Sequence, residues 1–194
     1  MNVIFRRTGE RRYSVTVEVA GREPQTLDPA PGFDTHIPHD LVHYIVEAEL
    51  GLQAGVFGRA ANGGGTFIPA QADDRTPRAR ARARRKQLSR EASLDKADAR
   101  GRQEMANSER LAAVSDLFWR RRDGQVPDPS RVAPSSSLSA NDARCVDRIV
   151  ARLTAVAPLW NRLPIGGALA FTWPSTVAKF RAEEGQQGRS ERAG

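Results

Sequence analysis

The amino-acid sequence predicts an α+β fold in which a small antiparallel sheet, made of an N-terminal hairpin and a C-terminal strand, packs with about three helices. Two kinds of pattern carry this prediction. Residues 12–19 alternate between apolar and polar side chains, and in 168–173 large apolar side chains alternate with Ala170 and Thr172, which is the period of a strand with one buried face. Three segments between them repeat apolar side chains at helical spacing. We therefore expect one domain over residues 1–180.

The N-terminal hairpin is expected at residues 2–7 and 12–19. Its turn is predicted at residues 8–10, where Gly9 tolerates the positive φ that turns often require. A short third strand is expected around 24–27, and the proline-rich residues 28–33 form a rigid connector.

The first helix is predicted over residues 38–50. Pro38 suits the first helical position, Asp34 or Thr35 can cap nearby donors, and Gly51 is placed to end the helix. The glycine-rich stretch 51–67 lacks the Gly-Lys-Ser/Thr ending of a phosphate-binding loop, so we interpret it as a flexible loop.

Two later helices follow from apolar spacing. One is expected over residues 108–121, and Ser139 with Asp142 forms a capping box that begins the other. We expect Cys145 to be a small buried residue, Trp160 and Trp173 to belong to the core, and Trp119 to be an exposed contact. Residues 70–104 are expected to be a flexible or partly helical basic insertion, 123–138 a loop, and 181–194 a disordered tail.

Composition limits the classes of protein that remain. The mean hydropathy is −0.54, 27% of residues are charged, and no apolar run approaches the roughly 18 residues that cross a bilayer. The first residues lack the basic-then-apolar order of a signal peptide. Cys145 is the only cysteine, which excludes an internal disulfide and a cysteine zinc cluster. We expect a soluble cytoplasmic protein without a membrane partner.

The histidines are the strongest functional indication, because all three lie within eight positions: His36, His39 and His43. Imidazole binds transition metals and transfers protons near neutral pH. On the first helix His39, His43 and Glu47 form a polar stripe, with Val46 and Leu50 on its two sides. Apolar residues on both sides indicate a covered helix whose histidines face a partly enclosed cleft.

The run His-Asp-Leu-Val-His over residues 39–43 resembles the His-Glu-x-x-His motif of the zinc peptidases called zincins. In that family the two histidines bind zinc, and the glutamate activates the metal-bound water. The resemblance covers five residues and departs at the catalytic one, where Asp40 is shorter than glutamate by roughly 1.5 Å. It implies zinc or a similar divalent metal at His39 and His43, with Asp40 as a displaced base or as a partner that orients a ligand.

The third ligand is left open by the sequence. Candidates are His36 or Asp34 from the preceding turn, and Glu104 or Glu109 from another segment. Glu47 is a less suitable ligand, because it lies two turns and about 12 Å from His39 along the helix axis. It is instead a candidate catalytic carboxylate, or a partner that orients the ring of His43. The same residues also fit ordinary helix-surface chemistry, with an acid near the N-terminus and a His–Glu pair.

A longer stretch, residues 34–58, contains His-Asp-Leu-x-His-x-x-Val-Glu-x-Glu-Leu-Gly and resembles small bacterial proteins of unknown function. The resemblance implies a bacterial cytosolic protein and transfers no activity.

A second functional indication is the basic run 75–90, part of a chain with a net charge of +7. Eight positive charges without an intervening acid can neutralise phosphates: Arg75, Arg78, Arg80, Arg82, Arg84, Arg85, Lys86 and Arg90. On a helix they would spread to both sides, and no aromatic residue lies among them, so a solvated flexible arm is the competing interpretation.

Three functions therefore remain in view. The first is a metal-binding protein that uses His39 and His43, with metal-dependent hydrolysis as one use of the site. The second is a non-enzymatic basic protein that engages nucleic acid or an acidic protein. The third is an accessory protein with neither activity.

Overall fold

An antiparallel sheet and four helices make up the described part of the chain. A computed structural model gives the fold, and it describes residues 1–62, 64, 67–69, 85, 99–124 and 138–181. The strands are β1 (Asn2–Gly9), β2 (Arg12–Glu18), β3 (Gln25–Leu27), β4 (Ile68–Pro69), β5 (Ala168–Thr172) and β6 (Lys179–Arg181). The helices are α1 (His39–Leu50), α2 (Val56–Ala61), α3 (Ala99–Arg122) and α4 (Ala140–Asn161). The predicted α+β class is confirmed.

The sheet has the strand order β4-β3-β2-β1-β5-β6, with every neighbouring pair antiparallel. Phe5 pairs with Val15 on one side and with Leu169 on the other. The predicted pairing of the C-terminal strand with the N-terminal hairpin is therefore confirmed. The hairpin turn comes later than expected, since Gly9 pairs with Arg12. Gly9 does not adopt a positive φ, so the predicted conformational reason for this glycine is wrong.

Helix α1 lies at the centre of the core. It packs against α2, α3 and α4, and the ring of Tyr44 contacts Phe5 and Phe171 of the sheet. Because neighbours cover it on several sides, every residue from Leu41 to Glu47 is buried. This burial explains why apolar residues lie beside the histidines on α1.

The ends of α1 are defined by residues that the sequence singles out. Pro38 occupies the N-cap position with extended backbone angles, and Asp34 Oδ1 accepts the backbone N–H of His36 at 2.8 Å in the turn before it. Gly51 ends the helix with φ 63°, a left-handed conformation that glycine adopts at little cost.

Other boundaries differ from the sequence predictions. The segment predicted as a flexible loop contains α2, and α3 begins at Ala99 rather than near residue 108. Strand β6 has no counterpart among the predicted elements. The capping box of α4 is confirmed, because Ser139 Oγ accepts the backbone N–H of Asp142 at 3.1 Å.

The tryptophans divide differently from the prediction. Trp160 and Cys145 are buried as expected, and Trp173 is partly buried and packs against the core through Tyr44 and Phe57. Trp119 is buried too, so its predicted role as an exposed contact is wrong. It packs in the core while the guanidinium of the neighbouring Arg120 lies 5.5 Å from the centre of its ring.

Three predicted segments lie largely outside the described residues: most of the basic insertion, most of the loop 123–138 and all but the first residue of the tail 181–194. Within the part that the structure describes, no helix combines the length and apolar character needed to cross a bilayer.

A candidate histidine site on helix α1

His39 and His43 lie over one another on α1, one turn apart. Their Nε2 atoms are 3.3 Å apart, and their ring centres are 4.5 Å apart. The side chain of His39 is 49% exposed, whereas that of His43 is 7% exposed. The pair therefore has an inner ring that is buried and an outer ring that solvent reaches.

The inner ring contacts helix α3 through its other nitrogen. His43 Nδ1 lies 3.2 Å from Ser108 Oγ, and the Ser108 hydroxyl donates to Glu47 Oε1 at 3.3 Å. All three residues are buried. A chain of hydrogen bonds therefore connects the outer histidine, the inner histidine, a serine and a carboxylate.

Glu47 is completely buried, yet protein donors surround its carboxylate. The backbone N–H groups of Val56 and Phe57 donate to Oε1 and Oε2, each at 2.9 Å, and that of Gly58 lies 3.5 Å from Oε2. Burial raises the pKa of Glu47 to about 7, against the lowering by these N–H groups and by Ser108. Above that pH the side chain is an anion held by donors from α2 and α3.

Glu104, on α3, accepts backbone N–H groups of the loop between α1 and α2 in the same manner. Its Oε2 accepts the backbone N–H groups of Gln53 and Ala54, at 2.9 and 2.8 Å. Glu104 was one of the two glutamates predicted as metal ligands from another segment, but its carboxylate is bound to this backbone instead. Glu109 faces the histidines instead, with Oε2 3.7 Å from His43 Nε2 and a side chain that is 63% exposed.

Asp40 lies on the opposite side of the outer ring. Its Oδ1 is 3.9 Å from His39 Nδ1, and its Oδ2 accepts the Tyr13 hydroxyl at 2.8 Å. Burial, and then the charge of Asp40, raise the pKa of Tyr13, so the phenol stays a hydrogen-bond donor. Asp40 is thus directed at Nδ1 of His39 and away from the pair of Nε2 atoms.

The pKa of the inner histidine is lowered, which favours its neutral form. Burial lowers the pKa of His43, and a positive charge on His39 would lower it further, whereas the carboxylates of Glu109 and Asp40 raise it. Burial has the largest effect because this ring is almost fully enclosed. A neutral ring keeps a lone pair on one nitrogen, which metal binding requires.

The other predicted ligands do not join this pair. Asp34 Oδ2 contacts Arg120 at 3.0 Å, and its Oδ1 accepts backbone N–H groups. No hydrogen bond, ion pair or aromatic ring contact among the described residues involves the His36 ring. In that part of the chain no group of three or more His, Cys, Asp or Glu side chains has the geometry to hold a metal ion.

The sequence analysis missed Ser108 and Tyr13, which contact the site from α3 and β2. The sequence predicts residue 108 only as the start of a helix and residue 13 only as part of a strand with one buried face. No spacing rule connects either of them to the histidines, since 65 residues separate His43 from Ser108.

The basic run is described at one position only. Arg85 is helical and exposed. Arg78, Arg80, Arg82, Arg84 and Lys86 lie outside the described residues, so their predicted contact with nucleic acid stays a prediction.

Comparisons of the chain with protein-family models, with curated proteins and with solved structures find no match. Any functional assignment therefore depends on the residues and their geometry.

Proposed function

We propose that this protein binds a divalent transition metal ion, zinc or one similar to it, through Nε2 of His39 and Nε2 of His43. The observation that carries the proposal is the 3.3 Å separation of these two atoms. A tetrahedral ion with metal–nitrogen bonds of about 2.0–2.1 Å keeps two imidazole nitrogens about 3.3–3.4 Å apart. The pair therefore has the spacing of two ligands of one ion before any ion binds.

The surroundings of each ring support the same proposal. In a metal-bound histidine the second ring nitrogen usually donates its N–H to an oxygen, which fixes the orientation of the ring. His43 Nδ1 lies against Ser108, and His39 Nδ1 faces Asp40. His43 therefore has an oxygen within hydrogen-bond distance on the side away from the proposed ion, and His39 has a carboxylate 3.9 Å from its second nitrogen.

Glu109 is the third ligand that we propose. Its carboxylate is already 3.7 Å from His43 Nε2, and its exposed side chain can turn without disturbing the core. A carboxylate with two imidazoles is a known ligand set for zinc, and water fills the fourth position in such sites. Because the side chain of His39 is half exposed, a solvent water can reach this fourth position.

The proposal is metal binding, and it assigns no general base. Two histidines, a glutamate and water match the ligands of hydrolytic zinc sites, where the metal activates the water. Asp40, however, is engaged by Tyr13 and faces Nδ1 of His39. Glu47 is enclosed by donors from α2 and α3. Both predicted catalytic carboxylates thus have the contacts of supporting residues.

Metal analysis of protein purified without an affinity tag tests the proposal. We expect the wild-type chain to bind up to one equivalent of Zn²⁺, measured by elemental analysis and by competition with a chromophoric chelator. His39→Ala and His43→Ala should each abolish this binding, while His36→Ala, the matched control, should keep it. Wild-type protein that binds no Zn²⁺, or His39→Ala and His43→Ala proteins that bind it as wild type does, would overturn the proposal.

We also propose a second candidate function, the binding of nucleic acid or an acidic protein by the run 75–90, because it carries eight basic residues and no acid. Low-salt binding to a fluorescent single-stranded RNA should be lost when residues 75–90 are deleted and should weaken steeply with added salt. Equal binding by the deletion variant would remove the reason for this candidate.

A further inference from the structure

We infer that Ser108 is a positioning residue which, together with Glu47, holds neutral His43 in the tautomer that carries its proton on Nδ1. In that tautomer the lone pair of His43 lies on Nε2 and faces His39. The consequence for metal affinity rests on the proposed function, whereas the tautomer itself does not.

The inference begins at Glu47, because a carboxylate can only accept hydrogen bonds. Its two oxygens accept backbone N–H groups from Val56 and Phe57, so both already act as acceptors. Ser108 Oγ approaches Oε1 to 3.3 Å. At pH 8, above its pKa of about 7, Glu47 is ionised and has no proton to give, so the hydrogen of this contact comes from Ser108.

A serine hydroxyl has one hydrogen and two lone pairs. Once that hydrogen points at Glu47, Ser108 Oγ can only accept from its second partner, His43 Nδ1, at 3.2 Å. Nδ1 must then carry a proton. The reverse arrangement, in which Ser108 donates to His43, would turn an oxygen lone pair towards a buried carboxylate with no hydrogen between them.

Burial of the three residues strengthens the preference for this arrangement of hydrogen bonds. Glu47, Ser108 and His43 are 0%, 1% and 5% exposed, so bulk water has little access to either hydrogen bond. A neutral histidine in water favours the opposite tautomer, with the proton on Nε2. The contact with Ser108 therefore reverses the intrinsic preference of the ring, as the partner of one nitrogen sets the state of the other.

The tautomer matters for the proposed ion because only a nitrogen with a free lone pair can bind it. Loss of a partner that orients a metal-bound histidine typically lowers metal affinity 10–100-fold. We therefore expect Ser108→Ala to weaken Zn²⁺ binding by roughly tenfold or more. Ser108→Thr keeps the hydroxyl and should bind Zn²⁺ more tightly than Ser108→Ala.

Long-range ¹H–¹⁵N correlation spectra of the histidine side chains test the inference directly. The ¹⁵N-labelled protein is freed of metal with a chelator and measured at pH 8, with His36→Gln and His39→Gln variants to assign the signals. Wild-type His43 should show the pattern of a proton on Nδ1. Ser108→Ala should shift the ring to the Nε2–H pattern, and Ser108→Thr should restore the wild-type pattern.

The possible failures are distinguishable. A wild-type His43 with its proton on Nε2, or a Ser108→Ala protein with an unchanged tautomer, overturns the inference even if Zn²⁺ binds. Absence of Zn²⁺ binding with the Nδ1–H pattern present overturns the proposed function and leaves the tautomer assignment intact. The wild-type spectrum is decisive even where a variant does not fold.

Discussion

Gly55 leaves no room for a side chain between its backbone and the carboxylate of Glu47. A β-carbon at position 55 would be 2.5 Å from Glu47 Oε1, and closer still to Cδ and Oε2. The backbone of Gly55 has φ −72°, an angle that any residue adopts. Glycine is therefore required here by the close approach of a buried side chain, and this approach allows the N–H groups of α2 to reach Glu47.

We predict that Gly55→Ala destabilises the protein by about 1–3 kcal/mol, because the methyl group must displace a carboxylate that is held on all sides. Urea unfolding measures the change. Gly64→Ala is the matched control, since among the described residues a β-carbon there meets only Arg59, with O at 3.7 Å and Cβ at 4.0 Å. Equal losses in the two variants would show that the contact with Glu47 is unimportant.

Glu47 should make stability depend on pH. Its pKa is raised by burial to about 7 in the folded protein, above the ordinary 4.5. The folded state therefore holds this proton more tightly than the unfolded state, and the resulting stabilisation is full below about pH 4.5 and disappears as the pH rises through 7. Between pH 5 and pH 8 we expect a loss on the order of 2 kcal/mol from this group.

Glu47→Gln provides the comparison, because the amide stays neutral at every pH. The free energy of unfolding, measured by urea titration at several pH values, should fall more steeply with rising pH in wild type than in the variant. Parallel curves for the two proteins would contradict the raised pKa.

Arg120 should contribute strongly to stability. Its Nε lies 2.9 Å from both oxygens of Asp116, and its NH2 group lies 3.0 Å from Asp34 in the turn before α1. Its side chain is 8% exposed, so a substitution leaves carboxylates in a poorly solvated site. We predict that Arg120→Met costs about 3 kcal/mol.

Arg121, the next residue, is exposed and supplies a matched control. Arg121→Met should change the free energy of unfolding by less than about 0.5 kcal/mol. A similarly small change in both variants would mean that the contacts of Arg120 with Asp116 and Asp34 add little to the stability of the fold.

The parts of the fold that sequence patterns predicted are those that local chemistry determines. Alternation located β2 and β5, and Gly51 and Ser139 marked an end of α1 and the start of α4. Helix α2 was missed because the acceptor for its first N–H groups is Glu47, on another helix. The sequence of the glycine-rich segment alone gives no indication of this contact with Glu47.

The candidate site divides in the same way. The spacing of His39 and His43 follows from helix geometry alone, so the sequence suffices to predict that they are neighbours. Ser108 comes to His43 through the packing of α3 on α1. The exposed position predicted for Trp119 was wrong for a related reason. Arginines follow it in the sequence, yet the first of them, Arg120, is itself buried and forms ion pairs with Asp116 and Asp34.

The third ligand gives the last prediction, which depends on Zn²⁺ binding by the wild-type protein. Glu109→Gln should lower Zn²⁺ affinity roughly tenfold, because an amide oxygen lacks the charge that a metal-bound carboxylate supplies. Chelator competition measures the affinity, and Glu23→Gln, at an exposed position before β3, should leave it unchanged. If Glu109→Gln binds as wild type does while His36→Ala loses affinity, then His36 is the third ligand and Glu109 is not.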